Sequence, residues 1–318
     1  MLVRFWGTRG SIPVGMPAAA LEKKLVAVLT KAIGKSLGTV ADVEAFVREE
    51  CPTPLTFGGN SSCVQIDVGG PEYILCDMGS GARVFGNHML ATHGPAKGQT
   101  YHVFMSHLHW DHIMGLPFFT PAYIPGNTVR FYGCHATLEE AFRRQHGPPS
   151  FPVDFAYLGG RLEFVRMEPG ASYEVAGVQV RAMLQYHGGD SYGYRFEHGG
   201  KSLVYSTDSE HKLEDTAATE RFVAFFRDAD LVIFDAMYSL ADAISVKADW
   251  GHSSNIVGVE LCQLAGAKHL CMFHHEPIYD DERLRTVLAE TRRFEEITRD
   301  AHRPLEISSA YDGMEIVL

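Results

Sequence analysis

The stretch Phe104-Met105-Ser106-His107-Leu108-His109-Trp110-Asp111-His112 decides the fold, because three histidines and one aspartate gather within six of its residues. The apolar run at 101–105 predicts a buried strand before these side chains, and residues 113–119 predict the start of a helix and then its end. We therefore expect the polar side chains on a short loop at the carboxyl end of a strand, where α/β folds place their sites.

The polar side chains of this loop favour a metal site, because imidazole and carboxylate groups together suit zinc, iron or manganese. His107 and His109 point the same way in an extended backbone, and Asp111 lies in step with them although the chain is turning there. His112 is out of step and can face a second ion. One loop can therefore serve two metals.

The His-x-His-x-Asp-His run at 107–112 resembles the signature of the metallo-β-lactamase superfamily, and later motifs of that family follow in order. These are Gln185-Tyr186-His187-Gly188-Gly189, Tyr205-Ser206-Thr207-Asp208 and Met272-Phe273-His274-His275-Glu276-Pro277. The resemblance implies an α/β fold, the four-layer αββα sandwich, in which two sheets face each other and helices cover both outsides. We predict one domain over residues 1–318, with halves near 1–170 and 171–318 and with hairpins dominating each half.

The resemblance also implies a ligand set for two metals. The first metal is held by His107, His109 and His187, the second by Asp111, His112 and His274, and Asp208 bridges both. The expected ions are two divalent metals, Zn²⁺ first, with Mn²⁺ or iron as alternatives. Seven ligands for two ions leave coordination positions open for a shared hydroxide and for substrate. Asp111 is also expected to take part in catalysis. His274 is preferred to His275 because it ends its strand in step with the final ligand of the family.

Two positions narrow the chemistry that the resemblance implies. Asp208 stands where β-lactam-cleaving members typically carry cysteine, so antibiotic hydrolysis is not expected. His109 stands where di-iron redox members carry an acid, so oxygen chemistry is not expected. Two ions roughly 3.5–4 Å apart can activate water and clamp the oxygens of an in-line displacement, which suits hydrolysis of a phosphodiester or another ester.

The segment Trp250-Gly251-His252-Ser253-Ser254 resembles the Gly-His-Ser-Thr segment of ribonuclease Z and related cyclic phosphodiesterases. A helix predicted to start at Ser253 favours an anion at its N-terminus, and His252 can bind phosphate or protonate a leaving oxygen there. Asp235 follows the predicted strand 231–234 and is expected to orient His252; the alternative is that it caps the next turn. The alternative for His252 is a neighbour of a helix N-cap without a role.

Composition limits the class of protein and its partners. The 318 residues are 46% apolar and carry a formal net charge of −11, which disfavours a grip on a long nucleic-acid backbone but allows a small anionic substrate. Six cysteines without a Cys-x-x-Cys pair predict buried free thiols. We expect a cytoplasmic protein without a membrane partner, because no signal-peptide core or membrane-length apolar run is present.

Residues 17–54 form a helical hairpin insertion that the resemblance does not cover. Leu21, Leu25, Leu29 and Ile33 recur at helical spacing, and Thr39 is the expected N-cap of a second helix at 40–50. The hairpin is interpreted as a lid over the site, as a dimer contact or as decoration. A homodimer is one of these expectations.

Two further loops have alternative interpretations. The loop at 7–11 either brings backbone N–H groups and Arg9 close to an anion or is an ordinary hairpin turn. Asp77 either supports the histidine loop through hydrogen bonds or binds its own backbone.

Four functions are compatible with these motifs. The favoured one is a phosphodiesterase acting on a small, cyclic nucleotide-like diester. A ribonuclease Z-like nuclease is the alternative, but the chain shows no extended basic arm for tRNA. A thioesterase of the glyoxalase II type usually carries a helical domain that is missing after His274. A non-catalytic regulatory metal-binding module is the fourth.

Overall fold

The computed structural model describes residues 1–52, 54–95, 98–239, 250–299 and 303–318, and within them two seven-stranded sheets. The first sheet runs in the spatial order β14 (Glu315–Val317), β1 (Leu2–Gly7), β2 (Cys63–Asp67), β3 (Tyr73–Cys76), β4 (Thr100–Phe104), β5 (Thr128–Gly133) and β6 (Arg161–Arg166). The second runs β13 (Glu306–Ser309), β12 (His269–Phe273), β11 (Leu231–Asp235), β10 (Lys201–Ser206), β9 (Ser191–His198), β8 (Val178–Gln185) and β7 (Ser172–Val175).

The helices are α1 (Ala18–Ala32), α2 (Val40–Glu50), α3 (Gly81–His93), α4 (Trp110–Ile113), α5 (Leu138–Gln145), α6 (Thr216–Phe226), α7 (Asn255–Ala265) and α8 (Asp281–Thr298). Short 3₁₀ turns lie at Leu116–Phe118, Thr120–Tyr123 and Phe155–Tyr157. Helix α2 has the predicted N-cap, since the Thr39 side chain accepts a hydrogen bond from the backbone N–H of Asp42 and the Asp42 carboxylate accepts one from the backbone N–H of Thr39.

Three apolar cores separate four layers. The central core joins the inner faces of the two sheets, for example Phe104 from β4 and Phe196 from β9. An outer core packs β11 and β12 against α6, α7 and α8, and the other packs β4 and β5 against α3 and α5. This arrangement confirms the predicted αββα sandwich, because each sheet buries both of its faces.

The prediction that hairpins dominate each half is wrong. In each sheet three strand pairs are antiparallel and three are parallel, the parallel ones being β3 to β6 and β10 to β13. Strand β6 ends the first sheet, and β7 and β8 begin the second. Strands β11 and β12 are buried along their whole length, as parallel strands covered on both faces are.

The chain halves follow the predicted division with one exception. Strands β1 to β6 build the first sheet and β7 to β13 the second, but the last strand, β14, crosses back and pairs with β1. The single domain over residues 1–318 stays a prediction. All six cysteines are buried and free, as predicted. Among the described residues, no helix is both long and apolar enough to cross a membrane.

The predicted helical hairpin is present as α1 and α2, and it packs loosely. Helix α1 has no buried residue, and Leu29 and Ile33 are 65% and 81% exposed. Lys24 reaches back to the body of the molecule, where it pairs with Asp281 at the start of α8.

Candidate metal centre

Ligand-type side chains from four strand ends meet at one edge of the sandwich. They follow β4 (His107, His109, Asp111 and His112), β8 (His187), β10 (Asp208) and β12 (His274). One expectation about the first motif is wrong, because Asp111 and His112 lie in the one-turn helix α4 and not on a loop. Successive side chains on a helix point in different directions, which lets these two residues face another part of the site than His107 and His109.

His107, His109 and His187 form the first group. Their ligand atoms lie within 4.8 Å of one another. His109 Nδ1 and His187 Nε2 are 3.1 Å apart. His107 Nε2 is buried, has no hydrogen-bond partner among the described residues and lies 3.6 Å from Asp208 Oδ2. A buried nitrogen without a partner is costly unless an ion or another group completes it, so this group fits a metal.

Asp111, His112 and His274 form the second group, again with ligand atoms within 4.8 Å of one another. His112 Nε2 lies 3.2 Å from Asp111 Oδ2 and 3.3 Å from His274 Nε2. Asp208 lies between the groups, with Oδ1 3.2 Å from His112 Nε2 and Oδ2 3.3 Å from His274 Nε2. His107 also groups with His112 and Asp208, so the two groups adjoin each other. These clusters of imidazole and carboxylate can hold metal ions, and the division of the ligands between two ions stays a prediction.

Hydrogen bonds behind the ligands fix which nitrogen faces the centre. His112 Nδ1 donates to Asp77 Oδ2 at 2.8 Å, and His187 Nδ1 donates to the Gly251 carbonyl at 2.7 Å. With the Nδ1 proton held in this way, each imidazole has its Nε2 directed at the site, where a metal ion can replace any proton on that nitrogen. The supporting role expected for Asp77 agrees with this geometry. The contact to Gly251 was missed by the sequence analysis, although the glycine next to His252 marked the turn.

The charges of the cluster favour a bound cation. Burial would raise the pKa of Asp208, but the imidazoles of His274, His112 and His107 hold it well below its usual range. Burial lowers the pKa of His107, and the neighbouring His112 lowers it further. Burial would lower the pKa of His112 too, yet Asp208, Asp111 and Asp77 raise it well above its usual value. The carboxylates thus attract positive charge to this point, which a metal ion can supply in place of a proton.

His252 lies beside the second group, and its ring nitrogen also falls within 4.8 Å of ligand atoms of His187 and Asp208 and of Asp235 and His274. Its place outside the ligand set stays a prediction. His252 Nδ1 donates to Asp235 Oδ2 at 2.8 Å, and its ring stacks on His274 with centroids 5.1 Å apart. Burial lowers the pKa of His252, but the charge and hydrogen bond of Asp235 outweigh this effect and raise it to about 9. Asp235 also accepts hydrogen bonds from the backbone of Ser209 and Met237, so it caps its own turn and orients His252 as well.

Two other expectations can be compared with the structure. His275 lies outside the cluster, since its Nε2 donates to the Ala310 carbonyl at 2.7 Å and the side chain is buried. The interpretation of Arg9 as an anion contact is wrong, because its buried guanidinium donates to the carbonyl oxygens of Glu276 and Tyr279. The loop of Arg9 is nevertheless close to the site, as Gly10 packs against the His274 ring.

The chain is similar to known proteins in sequence and in fold. A family model described as the beta-lactamase superfamily domain matches residues 72–275, which leaves out the α1–α2 hairpin. The chain is similar to a ribonuclease Z of Staphylococcus haemolyticus (strain JCSC1435), with 22% identity over 275 residues that cover 70% of this chain and 84% of that protein.

Two solved structures resemble the whole architecture. The metallo-β-lactamase fold protein YhfI from Bacillus subtilis gives a TM-score of 0.63 at 17% identity, with 99% of both chains covered. Unliganded yeast PDE1 gives a TM-score of 0.62 at 16% identity, with 84% of this chain and 96% of that chain covered. At these identities the likeness shows the fold alone.

Proposed function

The chain belongs to the β-lactamase superfamily and has the metallo-β-lactamase hydrolase fold, and on that premise we propose that it is a metal-dependent phosphodiesterase acting on a small anionic diester. The observation that carries the proposal is the His252–Asp235 pair, joined at 2.8 Å beside the two metal-ligand groups. Such a pair places a proton donor beside the metals, where the leaving oxygen of a phosphodiester would need a proton.

The metal ligands of the proposal are His107, His109 and His187 for one ion, Asp111, His112 and His274 for the other, and Asp208 for both. Two divalent ions there, zinc in the first instance, would supply an activated water and neutralise the charge of a phosphate. Asp111 and Asp208 would orient that water through their carboxylate oxygens. The buried His107 and His112 keep bulk water away from one side of the site.

His252 acts as the general acid in this proposal. Asp235 binds Nδ1–H and thereby fixes the ring, so that Nε2–H is the proton available to a departing alkoxide. The same Nε2–H can bind a non-bridging phosphate oxygen before the bond breaks. Asp235 is a positioning residue, because it touches His252 and not the substrate.

The names of the curated relatives favour one alternative, a ribonuclease Z-like nuclease. The net charge of −11 opposes it, because a long nucleic-acid backbone needs a basic surface. We therefore keep a small diester as the proposed substrate, without a nucleic-acid polymer as partner. A cytoplasmic location is also part of the proposal.

The test combines a substrate panel with a leaving-group comparison. Zinc-, manganese- or iron-loaded protein is assayed on bis(p-nitrophenyl) phosphate, cyclic nucleotides, a tRNA precursor, a thioester and a β-lactam. His252→Ala should lower turnover of an alkoxide-leaving diester by about 10²–10⁴-fold, and should affect the p-nitrophenyl ester less, because that leaving group needs little protonation.

The controls separate the roles of His252. Metal content of His252→Ala should equal that of the unchanged protein, at two ions per chain. Equal losses on both diesters would reduce His252 to phosphate binding, and loss of an ion would make it a ligand. Preferred cleavage of the tRNA precursor would replace the phosphodiesterase proposal with the nuclease.

A further inference from the structure

The segment Trp250-Gly251-His252 serves two parts of the metal centre at once. The Gly251 carbonyl accepts the Nδ1 proton of His187 at 2.7 Å, and His252 follows directly in the chain. The rings of His187 and His252 have centroids 5.0 Å apart. A shift of the Gly251 backbone would therefore change the support of a metal ligand and the place of the proposed general acid together.

Gly251 has no side chain that could hold this position by packing. Its φ of 81° lies in the left-handed region that favours glycine, and a Cβ there would lie 2.6 Å from His187 Nδ1. Glycine also has more backbone freedom than any other residue. What Gly251 itself offers to fix its orientation are hydrogen bonds to its N–H and C=O groups.

Glu210 supplies the partner of the Gly251 N–H. Its Oε2 accepts from that N–H at 3.2 Å, between residues 41 positions apart in the chain. Its other oxygen, Oε1, lies 3.4 Å from Nζ of Lys212, and the Glu210 side chain is 20% exposed. One carboxylate oxygen thus serves the metal centre, and the other faces a cation near the surface. A carboxylate is a stronger acceptor than a neutral oxygen, which suits it to hold a flexible backbone.

Glu210 is itself held next to two metal ligands. It follows Asp208 by two residues. Its backbone N–H donates to the Tyr186 carbonyl at 2.8 Å, and Tyr186 precedes His187. Glu210 therefore joins the three chain segments that carry Asp208, His187 and His252. Within the described part of the chain it belongs to none of the groups of ligand-type side chains, so its contact with the centre is the one through Gly251.

We propose that Glu210 is a positioning residue, which fixes the Gly251 backbone and through it the imidazoles of His187 and His252. The effect on His187 concerns metal affinity and does not depend on the reaction. The effect on His252 rests on the proposed function. Without the carboxylate, Gly251 can turn away from His187, whose Nδ1–H then loses its fixed acceptor.

The test is Glu210→Met, which keeps the length of the side chain and removes both oxygens. Partners behind a metal ligand are worth about 10–100-fold in affinity, and Glu210 acts one bond further away, so zinc affinity in chelator competition should fall by about 10-fold. At saturating zinc, turnover of an alkoxide-leaving diester should fall by about 10–100-fold because His252 is misplaced, and turnover of bis(p-nitrophenyl) phosphate should fall less. Glu210→Ala serves where Glu210→Met does not fold.

Two further variants separate positioning from charge and from stability. Glu210→Gln keeps an acceptor oxygen for the Gly251 N–H and should restore zinc affinity and the ratio of the two turnover rates. Glu295→Met is the matched control, because Glu295 also accepts from a backbone N–H, that of Leu305 at 3.0 Å, and pairs with a cation, Arg299. It lies before the start of β13, at the sheet edge opposite to the ligands, and should keep both quantities. A glutamine variant as impaired as Glu210→Met, or equal losses in the control, overturns the proposal.

Selective labelling detects the hydrogen bond itself. When tryptophan is labelled at the carbonyl carbon and glycine at the nitrogen, only the amides of Gly7 and Gly251 join two labelled atoms, because only these glycines follow a tryptophan. In Glu210→Met the Gly251 proton signal should move upfield, since the proton loses a carboxylate acceptor, and in Glu210→Gln it should return toward its original position. The Gly7 signal, from β1, should not move.

The outcomes distinguish failure of this inference from failure of the proposed function. If neither diester is hydrolysed, the phosphodiesterase proposal fails, and zinc affinity with the Gly251 signal decides the role of Glu210 alone. Zinc affinity that falls in Glu210→Met and returns in Glu210→Gln supports that role. An unmoved Gly251 signal overturns it, as does a moved signal with unchanged zinc affinity. Lost zinc affinity with an unchanged ratio of turnover rates overturns the part that concerns His252.

Discussion

Asp77 gives the sharpest test of how the metal centre is supported. The side chain is fully buried and accepts four hydrogen bonds, two of them from Ser106 at 2.8 and 2.7 Å. The others come from His112 Nδ1 at 2.8 Å and from the Tyr205 hydroxyl at 2.7 Å. The substitution Asp77→Asn keeps the size of the side chain, and asparagine tolerates the backbone φ of +60° at this position.

The expected loss follows from the number of acceptors. An amide has one oxygen and an NH₂ group, so at least one of the fixed donors, Ser106 N–H or His112 Nδ1–H, faces another donor. If that donor is His112, the proton moves to Nε2 and the metal loses a ligand. Losses of supporting hydrogen bonds weaken metal affinity by about 10–100-fold, or about 1.4–2.8 kcal/mol. The free energy of unfolding without metal should fall by about 1–3 kcal/mol.

Zinc affinity is measured by competition with a chelator, and stability by denaturant unfolding of the metal-free protein. Asp67→Asn is the matched control, because Asp67 is only half-buried and pairs with Arg4 at 3.3 Å on β1. Zinc affinity of Asp77→Asn equal to that of the control would refute the reasoning about His112. A loss of stability without a loss of affinity would reduce Asp77 to a structural residue.

Three further predictions concern the surroundings of the centre. Gly10→Ala should weaken zinc binding in chelator competition, because a Cβ there would lie 2.7 Å from the His274 ring, whereas Gly15→Ala meets nothing within 4 Å and should not. Tyr205→Phe should lower the free energy of unfolding by about 1 kcal/mol in denaturant titration while metal affinity changes less than in Asp77→Asn. Deleting residues 17–54 should change substrate range or the oligomeric state in sedimentation while the metals stay bound; a folded deletion variant without metal would contradict it.

The helices and strands that the sequence predicts well are those whose ends are marked by local sequence features. The predicted helix at 40–50 and the predicted strand at 231–234 agree with α2 and β11 to within one residue, because an N-cap marks the start of the first and a continuous apolar run marks the second. Helix α3 had no such signal and was missed. Its glycines lower helix propensity, yet packing requires them, since a Cβ at Gly81 would lie 2.6 Å from the Trp6 backbone and one at Gly86 would lie 3.0 Å from Phe119.

The candidate site likewise has a part that the sequence predicts and a part that it does not. The ligand-type residues could be named from their motifs, but the groups that orient them are brought in by tertiary structure. Tyr205 and Asp77 are 128 residues apart and meet only because the two sheets face each other. The contact of the Gly251 carbonyl with His187 likewise depends on backbone geometry, which no residue type reveals.

Backbone strain at the strand ends shows where the side chain itself is needed. Asp77, Asp208 and His274 have positive φ values of 60°, 48° and 59°, a region that glycine adopts more easily. Gly251 takes the same kind of conformation with φ of 81°, and it contributes only a carbonyl to His187. Asp208 and His274 accept the strain because each must turn its side chain toward the ligand groups, and Asp77 accepts it because its carboxylate must reach His112 from behind. Strain of this kind persists only where the surrounding structure overdetermines it. The buried parallel strands β10 and β12, which carry Asp208 and His274 at their ends, provide that rigidity.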